Sequence, residues 1–131
     1  MLRQPKWLSR PSIDVVHEQL INEHGGSHGV RDSALIESAL ARPQNRFFYA
    51  ASECDLAQLA AAYGYGLVKN HGYIDGNKRV GLAALLTFLS RNGCRLVAES
   101  GEAVRVIEGV AAGDISEEEL TDWIRERIAE R

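Results

Sequence analysis

Ten residues near the middle of the chain, Asn70-His71-Gly72-Tyr73-Ile74-Asp75-Gly76-Asn77-Lys78-Arg79, gather side chains able to do chemistry. His71 brings an imidazole, the side chain most often used to take a proton from an attacking hydroxyl. Asp75 offers a carboxylate of the kind that ligates metal ions. Taken alone, it also reads as an ordinary helix N-cap. Gly76 lets the backbone approach a ligand closely. The apolar run Val80 to Leu89 follows at once and predicts a buried helix with Lys78 and Arg79 in its first turn. Helix N-termini already carry partial positive charge on unpaired N–H groups, so two cations are misplaced there unless an anion joins them. The simplest such anion is a phosphate.

Each of these residues has a plainer reading. A histidine before a helix is more often structural than catalytic, and a basic pair is more often a solvated surface. Together, ahead of a buried run, His71, Asp75, Lys78 and Arg79 favour phosphate handling. Asn77 fixes the loop by hydrogen bonds and stands within reach of the same phosphate. Lys69, two residues before His71, is either a third phosphate-binding cation or a solvated lysine.

Helices must position this loop. Pro11-Ser12 opens the first, Ile13, Val16, Leu20 and Ile21 keep its helical period, and Gly25-Gly26 stops it. Residues 1–10 read as an irregular arm whose Trp7 and Leu8 dock on the body. His17, His24 and His28 raise the question of a metal. No Cys, Asp or Glu completes a ligand set at the usual spacing, so they read as a solvated helix face and loop. Asp32 caps a second helix with Leu35, Ile36, Ala39 and Leu40 inward, and Pro43 is expected to end it. Gln44 to Tyr49 would then be a loop with three aromatics, packed on the core or arched as a flap over the central site.

Asp55 to Asn70 predicts a third helix, thinned by Ala60, Ala61, Ala62, Gly64 and Gly66 so that another helix can come close. Glycines inside a helix cost about 1 kcal/mol each relative to alanine, which close packing would offset. The fourth helix, from about Gly76 to Asn92 with Gly93 as its C-cap, is apolar nearly all round and is expected to be the central one. Glu102 to Ala112 forms a fifth. Ser116 and Glu119 make a capping box for a sixth, with Leu120, Trp123, Ile124 and Ile128 inward. A short strand pair is possible near Arg95–Ala98. The expected architecture is all-α, one domain over residues 1–131, a bundle of about six helices around a central apolar helix.

Bulk properties agree. The chain has 131 residues and a net charge of −3, against the strongly basic balance of a dedicated nucleic-acid binder. Residues 1–98 hold eleven Lys/Arg against eight Asp/Glu, whereas residues 99–131 hold four against ten, so the acidic tail lies apart from the expected phosphate site. Cys54 and Cys94 lack metal or disulfide spacing and read as reduced thiols. No signal-peptide stretch opens the chain and no apolar run is long enough to span a bilayer, so a cytoplasmic protein without membrane contact is expected.

The stretch His71 to Arg79 resembles the signature of the Fic/Doc family, His-x-Phe-x-Asp/Glu-Gly/Ala-Asn-Gly/Lys. Lys78 in its variable place is most similar to the death-on-curing (Doc) branch of toxin–antitoxin toxins. Gly72 stands where proline is usual, and Tyr73 where phenylalanine is. The resemblance implies the general base at His71 and the Mg²⁺ ligand at Asp75, with Gly76, Asn77, Lys78, Arg79 and Lys69 at the nucleotide phosphates. It further implies transfer of the terminal phosphate of ATP to a hydroxyl of a protein target, elongation factor Tu being the target the branch suggests. AMP transfer, as in Fic enzymes, is the alternative. Leu82 replaces the second arginine that AMP-transferring members carry, and Lys78 replaces their glycine. Ala83 stands where a polar nucleotide contact would be plausible. A third reading is an inactive helical module that only binds a partner. The resemblance also implies a flap ahead of the signature and control by a Phd-like antitoxin, whose disordered segment folds on binding. The inhibitory pattern of self-restrained members has its nearest match at Ser33 to Glu37, and Ser38 breaks it.

Overall fold

The computed structural model describes residues 3–131, so Met1 and Leu2 of the expected arm lie outside them. Six α-helices run in order, α1 (Arg10–His24), α2 (Ser33–Ala50), α3 (Leu56–Asn70), α4 (Asn77–Arg91), α5 (Glu102–Ala112) and α6 (Glu117–Arg127). Local chemistry sets most of their ends. The Ser9 hydroxyl caps α1 by accepting the Ser12 N–H at 3.3 Å, with Pro11 in the first turn. Asp55 and Gln58 form a capping box on α3, and Ser116 and Glu119 form one on α6.

The most enclosed helix is α3, not α4 as its apolar sequence had led us to expect. Ala57, Leu59, Ala60, Ala61, Ala62, Tyr63, Leu67 and Val68 are all buried along it, with α2, α4, α5 and α6 around it. Its small residues explain the placement. A methyl group at Gly64 would lie 2.7 Å from Leu85 Cδ2, and one at Gly81 would lie 2.6 Å from Val68 Cγ2, so α3 and α4 approach through paired glycines. On its other side Gly66 sits against Ala39 of α2. Helix α4 buries Val80, Ala84, Leu85, Phe88 and Leu89 against α3, but leaves Lys78, Arg79 and Leu86 exposed.

Helix α2 does not stop at Pro43. It continues to Ala50, followed by a 3₁₀ turn over Ala51–Glu53. A proline inside a helix loses one backbone hydrogen bond and crowds the preceding turn. Here Ile36, Ala39, Leu40, Pro43 and Phe47 form one continuous buried stripe, and its burial outweighs that local cost. Arg42 and Arg46 of the same stretch pair with Glu117 of α6, which pins the far half. Gln44 to Tyr49 is therefore helix, not loop or flap. Phe47 packs inward, while Phe48 and Tyr49 are 63% and 92% exposed.

The arm docks as expected. Leu8 is buried, its N–H donating to the Tyr63 hydroxyl at 3.0 Å, and Trp7 stacks on Phe88 with centroids 6.1 Å apart. Two short strands, β1 (Cys94–Leu96) and β2 (Ile128–Glu130), pair antiparallel with Leu96 opposite Ile128, tying the end of α6 to the end of α4. Among the described residues no helix is long and apolar enough to cross a membrane.

Candidate active site

The connection from α3 to α4 carries the chemically dense stretch, and it is held from several sides. His71, the C-cap of α3, takes the left-handed conformation with φ 52° and ψ 50°, the one non-glycine residue with positive φ among those described. Such a position is costly unless its surroundings fix it. Arg31 does so: its Nε donates to the His71 carbonyl at 2.7 Å and an Nη to the Asn70 carbonyl at 3.0 Å. A cation on the last carbonyls of a helix also complements its dipole. The Arg31 and Asp32 N–H groups both donate to the Gly72 carbonyl, and Val30 forms an antiparallel bridge with Tyr73. The extended segment against the signature is thus Gly29–Arg31. Gly72 has a steric reason: a methyl group there would lie 2.4 Å from Ile36 Cγ1 and 3.1 Å from the Asp32 carbonyl oxygen.

Beyond Gly72 the loop is braced from within. Asn77, 4% exposed, accepts the Tyr73 N–H at 3.0 Å through Oδ1 and donates through Nδ2 to the Tyr73 carbonyl at 3.0 Å. Tyr73 is 2% exposed and its hydroxyl donates to Asp14 Oδ1 at 2.6 Å. Burial, reinforced by the Asp14 carboxylate, pushes its pKa up, so it is a neutral phenol at any ordinary pH. The Asp75 carbonyl oxygen lies 2.7 Å from His17 Nε2 on α1.

The Asp75 carboxylate stands at the surface and does not cap α4. That corrects the plain reading of this residue: the N-cap is Gly76, at φ 78°, and no side chain bonds the first N–H groups of the helix. Asp75 accepts the Ser27 N–H through Oδ2 at 3.1 Å and the Gly76 N–H through Oδ1 at 2.9 Å. These two donors, with Arg79 and His17 nearby, hold its pKa below the usual aspartate value, so it is fully ionised near neutrality. Each carboxylate oxygen has two lone pairs and accepts one of these bonds, so each retains a lone pair for a further ligand. That fits Mg²⁺, which is commonly bound through one or two carboxylates together with substrate phosphates and water. Among the described residues no three His, Cys, Asp or Glu side chains gather as a full ligand set.

A cleft of about 540 Å³ opens over the uncapped end of α4. Its walls include Lys69, His71, Asp75, Gly76, Asn77, Lys78 and Arg79, so the residues named from sequence line one space, closed by Val68 and Ala111. Lys69 sits in the last turn of α3, opposite the first turn of α4. An Nη of Arg79 donates to the Gly25 carbonyl at 2.8 Å, which ties its guanidinium to the α1–α2 loop. Leu82 does not line this cleft but an adjoining one of about 280 Å³, bordered by Lys78 and Arg79 on one side and by Val104, Ile107 and Glu108 of α5 on the other. None of Phe47, Phe48 and Tyr49 lines either space. Ser33 and Glu37 are engaged by Arg10 instead.

Two supports lie outside the residues singled out from the sequence. Arg31 looks like any loop arginine, and only the geometry joins it to His71. His17 was read as part of a solvated face, whereas it is 4% exposed and its ring lies on that of Tyr73. Its apolar spacing with Ile13 and Ile21, at i−4 and i+4, is the signal that would have found it.

A bundle whose Gly-Asn helix entry faces a histidine and a carboxylate across an anion-sized cleft defines a Fic-type fold, and the chain belongs to the Fic/DOC family, whose profile matches residues 7–89. Among curated relatives it is 32% identical over 118 residues to "Protein kinase doc" of Escherichia phage P1, covering 90% of this chain and 92% of that one. It is 43% identical over 75 residues to "Toxin Doc" of Mycolicibacterium smegmatis, covering 57% of this chain and 58% of that one.

Proposed function

We propose that this protein is the toxin of a toxin–antitoxin pair and transfers the terminal phosphate of ATP to a hydroxyl of a protein target, halting translation. The observation that carries the reading is the cleft, where His71, Asp75, Lys78 and Arg79 surround a helix N-terminus that no side chain caps. The similarity to a relative named protein kinase and to one named toxin supports the same reading. Elongation factor Tu is the target the Doc resemblance suggests, and a Phd-like antitoxin segment is the partner it suggests.

In this reading the α4 N–H groups, Lys78 and Arg79 bind the phosphates and neutralise charge that spreads over their oxygens during transfer. Asn77 keeps the loop in register, and Lys69 adds charge from the α3 side. His71 stands at the rim, exposed, and takes the proton from the target hydroxyl as that oxygen attacks the terminal phosphorus, with ADP leaving. Asp75 would hold Mg²⁺, which when bound would supply neutralisation of phosphate charge. The fixed αL backbone at His71 sets the approach of its imidazole.

AMP transfer is the second reading, and Leu82 speaks against it. A leucine carries no charge, so this position gives no cation to a second phosphate, although Lys78 and Arg79 border the same small cleft. The experiment uses ATP labelled at the terminal phosphate and, separately, at the innermost one, incubated with the protein and a bacterial lysate. Terminal label on a protein target is expected. Innermost label alone would overturn the reading in favour of AMP transfer, and no label from either would favour a binding module.

A further inference from the structure

His17 is a buried titratable side chain that the chemistry above does not use. It lies in the middle of α1, fifty-eight positions from Asp75 in sequence, and is 4% exposed. Its Nε2 is 2.7 Å from the Asp75 main-chain oxygen. A carbonyl only accepts, so Nε2 carries the hydrogen and donates. The ring is stacked on Tyr73, with centroids 3.8 Å apart and planes 10° from parallel. A methyl group at Gly76 would come 3.5 Å from Nε2, so the imidazole also closes over the Asp75–Gly76 peptide. One side chain thus touches the loop before, at and after Asp75.

We propose that His17 is a positioning residue for the cleft: by donating to the Asp75 carbonyl while stacked on Tyr73, it sets the direction of the Asp75 carboxylate relative to the N-terminus of α4. The main chain of Asp75 is anchored from α1, and its carboxylate is anchored by the Ser27 and Gly76 amides. Freeing the first anchor lets the peptide rotate, and rotation carries the carboxylate off the second. The consequence for catalysis rests on the proposed phosphotransfer, but the positional role does not.

The test separates donor from stack. His17→Gln can place an amide nitrogen near the Nε2 position. His17→Asn places one near Nδ1, too short to reach Asp75. His17→Phe keeps a ring on Tyr73 without a donor. The activity-independent readout is the amide proton resonances of Ser27 and Gly76, which carboxylate acceptors move downfield. In His17→Asn and His17→Phe both resonances should move upfield together. Mg·ATP affinity and kcat should fall roughly ten-fold, the scale of one hydrogen bond lost at a placed group. His17→Gln should stay within about two-fold of wild type on the same scale. A merely packed histidine predicts no difference between Gln and Asn. If Gln and Asn behave alike, or if neither amide moves in Asn and Phe, the proposal is overturned. Should Phe fail to fold, the Gln and Asn pair still decides. If wild-type protein transfers no label from ATP, the phosphotransfer reading fails, while the two amide resonances still judge His17.

Discussion

The Tyr73 hydroxyl and Arg10 Nε converge on one oxygen of Asp14, at 2.6 Å and 2.9 Å. A residue of the signature loop is thereby wired to the first turn of α1, and Arg10 continues to the Ser33 hydroxyl at the start of α2. Tyrosine at this place keeps the buried ring that the family pattern demands and adds an anchor. Since the ring, not the hydroxyl, sits beside the chemistry, Tyr73→Phe should leave phosphate transfer unchanged. It should lower stability by about 0.5–1.5 kcal/mol, one net hydrogen bond, because the half-exposed Asp14 can turn to water. Urea unfolding checks the stability, and a fall in transfer of ten-fold or more would place the hydroxyl in the reaction.

Gly72 gives a larger expected effect with the same measurement. A methyl group there would lie 2.4 Å from Ile36 Cγ1, a distance real Cβ atoms do not adopt, and tightly, at 3.1 Å, against the Asp32 carbonyl oxygen. Gly72→Ala should cost about 1–3 kcal/mol, as overpacking does. An unfolding midpoint equal to wild type would show that α2 can retreat without loss.

These positions also show how far sequence reading reached. The six helices, the Ser116–Glu119 capping box and the gathering of Lys69, His71, Asp75, Gly76, Asn77, Lys78 and Arg79 followed from local signals, because caps, breakers and period are local physics, whereas the Asp55–Gln58 box on α3 came only with the structure. Pro43 misled because a continuous buried stripe, a tertiary effect, outweighed a local penalty. The centrality of α4 misled because apolar content says less about enclosure than side-chain size, and α3 is the thin helix. Arg31 was missed because it acts on backbone carbonyls far away in sequence, which leave no local mark, whereas His17 stood on the Ile13–Ile21 stripe and was marked by its period.

His71 occupies a left-handed backbone position, so the choice of variant matters. Asparagine tolerates that region better than alanine does. His71→Asn should therefore keep the fold and the midpoint of unfolding while transfer falls by about 10²–10⁴-fold, the usual contribution of a general base. Growth arrest by His71→Asn at wild-type strength would remove His71 from that role.

Asp75 should be dispensable for folding and needed for the nucleotide. It caps no helix, so Asp75→Ala should leave the thermal midpoint nearly unchanged while Mg²⁺-dependent ATP binding is sharply weakened, as calorimetry would read. The pH dependence has a definite sign. The Ser27 and Gly76 amides favour the ionised form and lower the pKa. What the carboxylate gives the loop is complete above the ordinary aspartate range and is lost as pH falls through that lowered pKa. Mg·ATP affinity in the wild type should hold across mildly acidic pH. An affinity that fell already near neutral pH would point to another group.

Lys78 decides how the phosphates lie. It is exposed in the first turn of α4, on the wall of the main cleft, and it also borders the smaller cleft where Leu82 meets α5. A lysine there brings one mobile point charge, where glycine would leave a bare cradle of N–H groups along which a diphosphate could lie. Removing it therefore has two separable consequences. Lys78→Gly should lower kcat for terminal-phosphate transfer by about 10²-fold, in line with the loss of one preorganised group facing developing charge. It should not create AMP transfer, because Leu82, in the small cleft beside Val104 and Ile107, still supplies no cation for the other end of the phosphate chain. Lys78→Gly combined with Leu82→Arg restores both features that AMP-transferring members carry. Transfer of innermost label by the double variant, and by neither single one, is the expected pattern. Innermost label from Lys78→Gly alone would mean that the lysine, without Leu82, sets the direction of the nucleotide. Undiminished terminal transfer in Lys78→Gly would remove Lys78 from phosphate binding and leave that task to Arg79 and the helix N-terminus.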